Sequence, residues 1–462
     1  MSKQQIAEAS AQYIAVTAMD GGDIGMVEAA IPKDYKQTEV GVIPEDWDTP
    51  RFGHICTLVN GRGFKPYEWS NEGLPIIRIQ NLNGSADFNY YNGHFDPKIF
   101  IEHGQLLFAW SGSRGTSFGP HVWKGGDALL NYHTWKLVIR ESAVDENYFF
   151  HILKALTKQI EDSAHGASAL VHTQKGEMEQ FYVPLPNSKE EQTAIANALS
   201  DVDALINGLE KAIAKKQAIK TATMQQLLTG RTRLPQFAHH PDGTSKGYKS
   251  SELGEVPEDW EVGVTSDLIE KMSSGLSRRL VAHDIGIPVL ISGNIQDNKL
   301  VTDELRYWYK PDPQGANIED YVLNDGDILL CFINSMAQIG KPCVFSDIGR
   351  PAIFTTNLFR IIVSNNSSSR FAYYLFSTEH FQKEIQIISK IAVNQASFTK
   401  PDFLGIKITF PSTKEEQIAI STILSDMDEE IQTLQQRLSK TRQLKQGMMQ
   451  ELLTGKTRLN GR

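Results

Sequence analysis

The sequence predicts a mixed α/β (α+β) chain: two β-rich domains joined by two long antiparallel coiled-coil helices, written as an internal repeat with a pseudo-twofold. Three observations predict it. The same flanking phrases occur twice in the same order, short apolar runs punctuated by Gly, Pro, Asn and Asp recur between them, and a heptad seam follows each run-bearing segment.

Residues 1–32 match no internal copy and form an N-terminal segment. KDYKQTEVGVIPEDWD (33–48) opens the first domain, expected over 33–186. It returns as KGYKSSELGEVPEDWE (246–261), opening the second, expected over 246–411. Inside them GLPIIRIQNL (73–82) aligns with GIPVLISGNI (286–295), GQLLFAWSGS (104–113) with GDILLCFINS (326–335), and WKLVI (135–139) with FRIIV (359–363). Such runs read as strands. FFHILKAL (149–156) and FAYYLFSTEHF (371–381) read as short helices packed on the sheets.

KEEQTAIANALSDVD (189–203) returns as KEEQIAISTILSDMD (414–428), heading helical regions at 187–234 and 412–462, with 235–245 as a linker. Ser188 with Glu191, and Thr413 with Glu416, stand in capping-box order. Ile195, Leu199, Val202, Ile206, Leu209 and Ile213 alternate steps of four and three; Ile420, Leu424, Met427, Ile431, Leu434 and Leu438 repeat them. This is a coiled-coil seam. Two amphipathic core helices are the plain alternative, and the seam's double occurrence favours an antiparallel pair. Gly230 and Gly455 fall where a left-handed stop belongs. About 40 residues at 1.5 Å each make a rod of roughly 60 Å.

At 462 residues the chain can bury two or more cores. No apolar run approaches the roughly 18 residues of a membrane span, and no secretory leader opens the chain, so a cytoplasmic location is expected. Cys56, Cys331 and Cys343 lack metal spacing and read as buried thiols in a reducing compartment. A net charge of −9 argues mildly against a nucleic-acid partner. Its distribution softens that: residues 49–160 are near neutral, and much of the acid lies at the N-terminus and in the two PEDW stretches. LLTGKTRL (452–459) contains a GKT that invites an ATP-loop reading. Gln450 and Gln225 stand where such a loop needs glycine, and the preceding stretch is helical, so the reading fails.

The paired G-x-[IV]-P-E-D-W openings, K-E-E-Q-x-A-I helix starts and L-L-T-G-[RK]-T-R-L ends run in order from about Lys33 to Leu459. In these phrases the chain resembles a specificity subunit of a type I restriction–modification enzyme. The resemblance implies two target-recognition domains, each reading one half of a bipartite asymmetric DNA site, with the helical pair fixing the untouched spacer. It further implies double-stranded DNA, two modification methyltransferase subunits and restriction translocase/endonuclease subunits as partners. Catalysis and its cofactors, S-adenosylmethionine, ATP and Mg, then belong to those partners and none to this chain.

DNA-reading candidates come from polar, glycine-rich loops that can place donors on phosphates or base edges. In the first domain they are Arg62, Lys65 and Tyr67 of NGRGFKPYEW, Ser113 and Arg114 of WSGSRGTSFG, and Asn131, Tyr132 and His133 of LNYHTW. In the second they are Arg278 and Arg279 of GLSRRL, Asn294 and Gln296 of GNIQDNK, and Asn334, Ser335, Gln338 and Lys341 of NSMAQIGK. A solvated loop side chain is the default for any one of them. Trp69, Trp110 and Trp308 read as packing, and the recurring Trp47 and Trp260 as scaffold. The equivalent turns at 110–114 and 332–336 are the strongest pair. A catalytic reading finds no N/D-P-P-F/Y methyltransferase motif, no complete dinucleotide fingerprint after Asn60 (Pro66 replaces its third glycine), no H-E-x-x-H set and no nuclease spacing. The other class left open is a coiled-coil scaffold presenting two protein- or sugar-binding modules, which the acidic charge suits. The target sequence and spacer length are not legible.

Overall fold

The computed structural model describes residues 31–140, 144–163, 170–393 and 395–459, so the N-terminal segment lies almost wholly outside them. They form two compact units. The first takes the chain to Leu209 and again from Arg437; the second is Glu210–Gln436. Each unit thus holds one recognition domain and part of both long helices, Lys189–Leu227 and Lys414–Leu452.

In the first unit Cys56–Asn60, Thr134–Ile139, Leu106–Ala109 and Gly119–Val122 form an antiparallel sheet in that order. A second, mixed sheet runs Asn89–Tyr91, Leu74–Ile77, Ala128–Leu130, Phe100–Ile101, with its two middle strands parallel. The second unit repeats the first order in full and three strands of the second. Ile269–Ser274, Leu358–Val363, Ile328–Cys331 and Pro342–Val344 make the antiparallel sheet, and Arg306–Trp308, Ile287–Leu290 and Ile353–Phe354 the mixed one. Leu106–Ala109 and Ile328–Cys331 are apolar at all four positions because both their faces are buried. Phe108, Trp135 and Phe149 share one core; Ile361, Phe371 and Phe403 share another.

Several expected strands are shorter than the aligned runs. Only Leu74–Ile77 of the first is extended, because Asn81 folds the chain back: its Oδ1 accepts the Arg78 N–H at 3.0 Å. Asn294 does the same to the Ile291 N–H at 2.9 Å. FFHILKAL lies within an 18-residue helix, Glu146–Ser163. FAYYLFSTEHF is two helices rather than one, Ser369–Phe376 and Glu379–Ile388, because the Thr378 hydroxyl caps the second by accepting from the Phe381 N–H.

Both long helices span 39 residues, and every expected seam residue is buried or half-buried. In the first unit Ile195 and Leu199 share a core with Met448 and Leu452; in the second Ile420 and Leu424 share one with Met224 and Leu227. The start of one helix lies against the end of the other in each unit, so the pair is antiparallel. Twin ion pairs clamp it, Lys445 on Asp203 and Lys220 on Asp428. Cys56, Cys331 and Cys343 are buried and unpaired, and burial pushes the Cys56 and Cys343 thiols up to about 12. No helix among the described residues is long and apolar enough to cross a membrane.

Candidate nucleic-acid interface

The repeated phrases meet one another in space. Arg458, from the end of the second helical region, donates to Glu191 (2.6 and 2.8 Å) and to Asp46 (2.8 Å to each oxygen). Arg233, ending the first region, donates to Glu416 (2.8 and 2.9 Å) and Asp259 (2.7 and 3.2 Å). Each clip therefore joins the PEDW aspartate and KEEQ glutamate of one copy to the TRL arginine of the other. Both arginines lie over a buried tryptophan, Trp47 or Trp260. Arg233 and Lys246 draw the Asp259 carboxyl down to about 2 against the opposing effect of burial.

The clip changes the expected capping boxes. Ser188 Oγ accepts the Glu191 N–H at 3.2 Å, but the Glu191 carboxylate goes to Arg458 rather than back to the cap. The neighbouring glutamines are equally committed. Gln192 Nε2 donates to Pro186 O and its Oε1 accepts from Asp145 N, while Gln417 bonds Pro411 O and Ser368 N in the same way. Gly230 and Gly455 both hold φ +70, the left-handed stop expected of them, and an added Cβ would meet Pro257 or Pro44 at 2.5 Å.

On this scaffold the three candidate stretches of the first domain converge. Arg62 bridges Asn131, Trp110 Nε1 donates to Tyr132 O at 3.0 Å, and the Trp110 and His133 rings lie 5.3 Å apart. Lys65, Tyr67, Ser113, Arg114 and Tyr132 are exposed, Tyr67 at 86%. Arg62 is ion-paired to Glu68 and stacked on Phe64 and Tyr91. Burial pushes the His133 imidazole below its ordinary value, favouring the neutral ring. Trp69, read as packing, is 40% exposed with the Arg78 guanidinium over its ring at 5.6 Å.

Two candidates of the second domain are engaged within the fold. Arg278 is locked on Asp312, Nη2 to Oδ2 at 2.6 Å, and its guanidinium holds that carboxyl well below the usual carboxylate range. Asp312 also takes the Trp308 Nε1–H and two backbone N–H groups, so this cluster shapes a loop. Asn294 is 4% exposed and spends its amide on Ile291 N, Val301 O and Glu304 O; its twin is Asn81, bonded to Arg78 N, Ser85 O and Asp87 O. Arg279, Gln296, Ser335 and Gln338 stay exposed, and Lys341 half-buried. Asn334 donates to Cys331 Sγ and accepts from Ser335 N, which orders the turn equivalent to 111–113.

Two β modules with one backbone plan and different turn side chains, each seated on paired helices, have the build of a modular recognition protein. The chain matches the type I restriction modification DNA specificity domain over residues 44–221 and again over 257–442. It is 27% identical over 436 residues to the type I restriction enzyme MjaVIII specificity subunit of Methanocaldococcus jannaschii, covering 92% of this chain and 96% of that protein. A putative MjaX specificity subunit from the same organism is 35% identical over 212 residues, 45% of this chain and 49% of its own. Among solved structures, the S subunit of a type I restriction–modification system from M. genitalium superposes with a TM-score of 0.53 at 13% identity, covering 88% of this chain and 96% of that one. A chain from a structure of type I R-M complex assembly and conformational transition gives 0.51 at 15% identity, covering 90% and 99%; these two likenesses are of fold. The protein belongs to the type I restriction modification DNA specificity family.

Proposed function

We propose that each recognition domain reads one half of a bipartite, asymmetric DNA site, and that the antiparallel helices set the spacer between the halves. Two modification methyltransferase subunits dock on the helical pair and bring S-adenosylmethionine for adenine-N6 methylation. Restriction subunits join for cleavage, supplying ATP and Mg chemistry, and the complex works in the cytoplasm. The observation that carries this reading is that two modules share sheet order and junction contacts while their exposed turns carry largely different side chains, Ser113 and Ser335 being a shared pair. Helices of 39 residues, at 1.5 Å each, are on the order of the ~34–36 Å that separates half-sites one turn apart, with length to spare.

The test is a methylome compared with and without this chain, co-expressed with its methyltransferase partner. A bipartite methylated sequence that appears only with the chain supports the reading; its absence ends it. Deleting one heptad from each helix, 206–212 and 431–437, is expected to shift the spacer while leaving the half-site bases alone. Unchanged spacing would remove the helices from that role.

A further inference from the structure

Seven buried side-chain atoms among the described residues find no hydrogen-bond partner, and four of them lie in one region of the first domain. They are Arg78 Nε, Asn89 Oδ1, Asn131 Oδ1 and His133 Nδ1. Leaving such groups unpaired costs stability, so a cluster of them calls for a reason.

The register explains how they gather. Arg62 pairs with Asn131, and Asn131 N donates to Ile77 O, so Arg62, Asn131 and Arg78 sit side by side on three adjacent chains. Paired residues share a face, and Asn89 joins that face opposite Ile76. Aromatic rings hold both guanidiniums: Trp69 beneath Arg78, and Phe64 and Tyr91 about Arg62. A stacked guanidinium keeps its donor fork in a fixed plane.

The second domain serves as an internal control. Leu276 N donates to Phe354 O as Arg62 N does to Leu130 O, and Thr355 N to Leu290 O as Asn131 N does to Ile77 O. Asn294 bonds Ile291 N as Asn81 bonds Arg78 N. The twins of Arg62, Arg78 and Asn131 are therefore Leu276, Ile291 and Thr355. The same backbone closes without either guanidinium, so stability does not call for them.

Resting on the DNA-reading role above, we infer that Arg78, with Asn131 beside it, recognises one G·C base pair in the major groove. The Arg78 fork donates through its two Nη groups to guanine O6 and N7, and Asn131, its Oδ1 enclosed, flanks the fork from the neighbouring chain. Arg62, engaged by Glu68, flanks the pair and braces the shelf.

The experiment is site selection from a random duplex library by the complex with its methyltransferase partner. Wild type is expected to recover a bipartite site; no bipartite site at all would overturn the general reading and this inference with it. Arg78→Ile, which installs the twin's residue, is expected to relax one G·C position in one half-site, losing about 10- to 100-fold discrimination there. The other half-site and the melting temperature stay as in wild type. Asn131→Thr, again the twin's residue, should relax the same position. Wild-type selectivity in both variants would refute the assignment. So would a uniform loss across sequences with a shallower salt dependence, which marks a phosphate contact. A variant that fails to fold would also refute it, because the inference holds that the fold does not need these groups.

Discussion

His151 in the first unit and Tyr374 in the second occupy one frame. Each lies six residues beyond a backbone N–H bonded to the KEEQ glutamine, Asp145 to Gln192 and Ser368 to Gln417. His151 Nε2 meets Ser200 Oγ at 3.1 Å, whereas the Tyr374 hydroxyl donates to Asp428 Oδ2 at 2.8 Å. Asp203, the twin of Asp428, turns instead to Lys154 at 3.0 Å. The difference teaches that a changed side chain on a shared backbone is not by itself a sign of function. Here each change is answered by a neighbour facing the long helix. On the shelf of Arg78 and Asn131 several unpaired polar atoms gather on neighbouring chains, whereas His151 leaves a single Nδ1 unpaired, and the clustering is what sets the two regions apart.

The comparison can be broken most forcefully at the clips. Arg233→Ala strands Glu416, whose side chain is 4% exposed, and should cost the second unit about 3–5 kcal/mol. Arg458→Ala likewise strands Glu191, 5% exposed, and should cost the first unit somewhat less, about 2–4 kcal/mol, because Arg458 is 30% exposed against 7% for Arg233 and water reaches the clip. Denaturant unfolding with segment-resolved hydrogen exchange reads both, and equal losses would contradict the ranking. Gly455→Ala forces a side chain into a left-handed turn against Pro44 and should cost about 2–3 kcal/mol, confined to the first unit.

A milder contrast comes from pH. Burial pushes the His151 imidazole down to about 4, and its Nδ1 has no partner, which suits a neutral ring. Below about 6.5 the unfolded chain takes a proton that the fold refuses. The contribution is thus complete above about 6.5 and is lost as pH falls toward 4. The first unit should weaken over that range by roughly 3 kcal/mol relative to the second. Tyr374, held well above its usual range by burial and Asp428, does not titrate there. Hydrogen exchange at two pH values, corrected for intrinsic rates, should show the first unit loosening first; parallel behaviour would remove His151 as the cause. The smallest effect is expected from Asp145→Ser, which copies the cap of the second unit. Its loss is the Thr193 contact, below about 1 kcal/mol by thermal melting.

Much of the architecture was legible because repetition reveals spacing without any knowledge of contacts. The seam, the glycine stops and the role of Trp47 and Trp260 all follow from positions that recur. That the three repeated phrases close on one another was not legible, since Arg458 and Asp46 lie 412 residues apart. Asn294 was open to correct reading: Asn81 stands at the matching place in the aligned runs, and a recurring amide marks scaffold. Arg278 gave no such warning, because Asp312 is 34 residues away in an unrelated loop. Arg78 lies inside a run that reads as strand, and only its apolar twin Ile291 marks it out in the sequence.

The crossed clips also set an order of events during synthesis. The second unit has all its parts once Gln436 has been made, and its longest clip contact spans 183 residues. The first unit must leave Asp46 and Glu191 without their arginine until Arg458 emerges, although most of its sheet was translated long before. Its buried carboxylate and open apolar seat are thus exposed to chaperones and proteases for most of translation. A chain cut short between Gln436 and Arg458 has a later half that is whole and an earlier half that is unsealed.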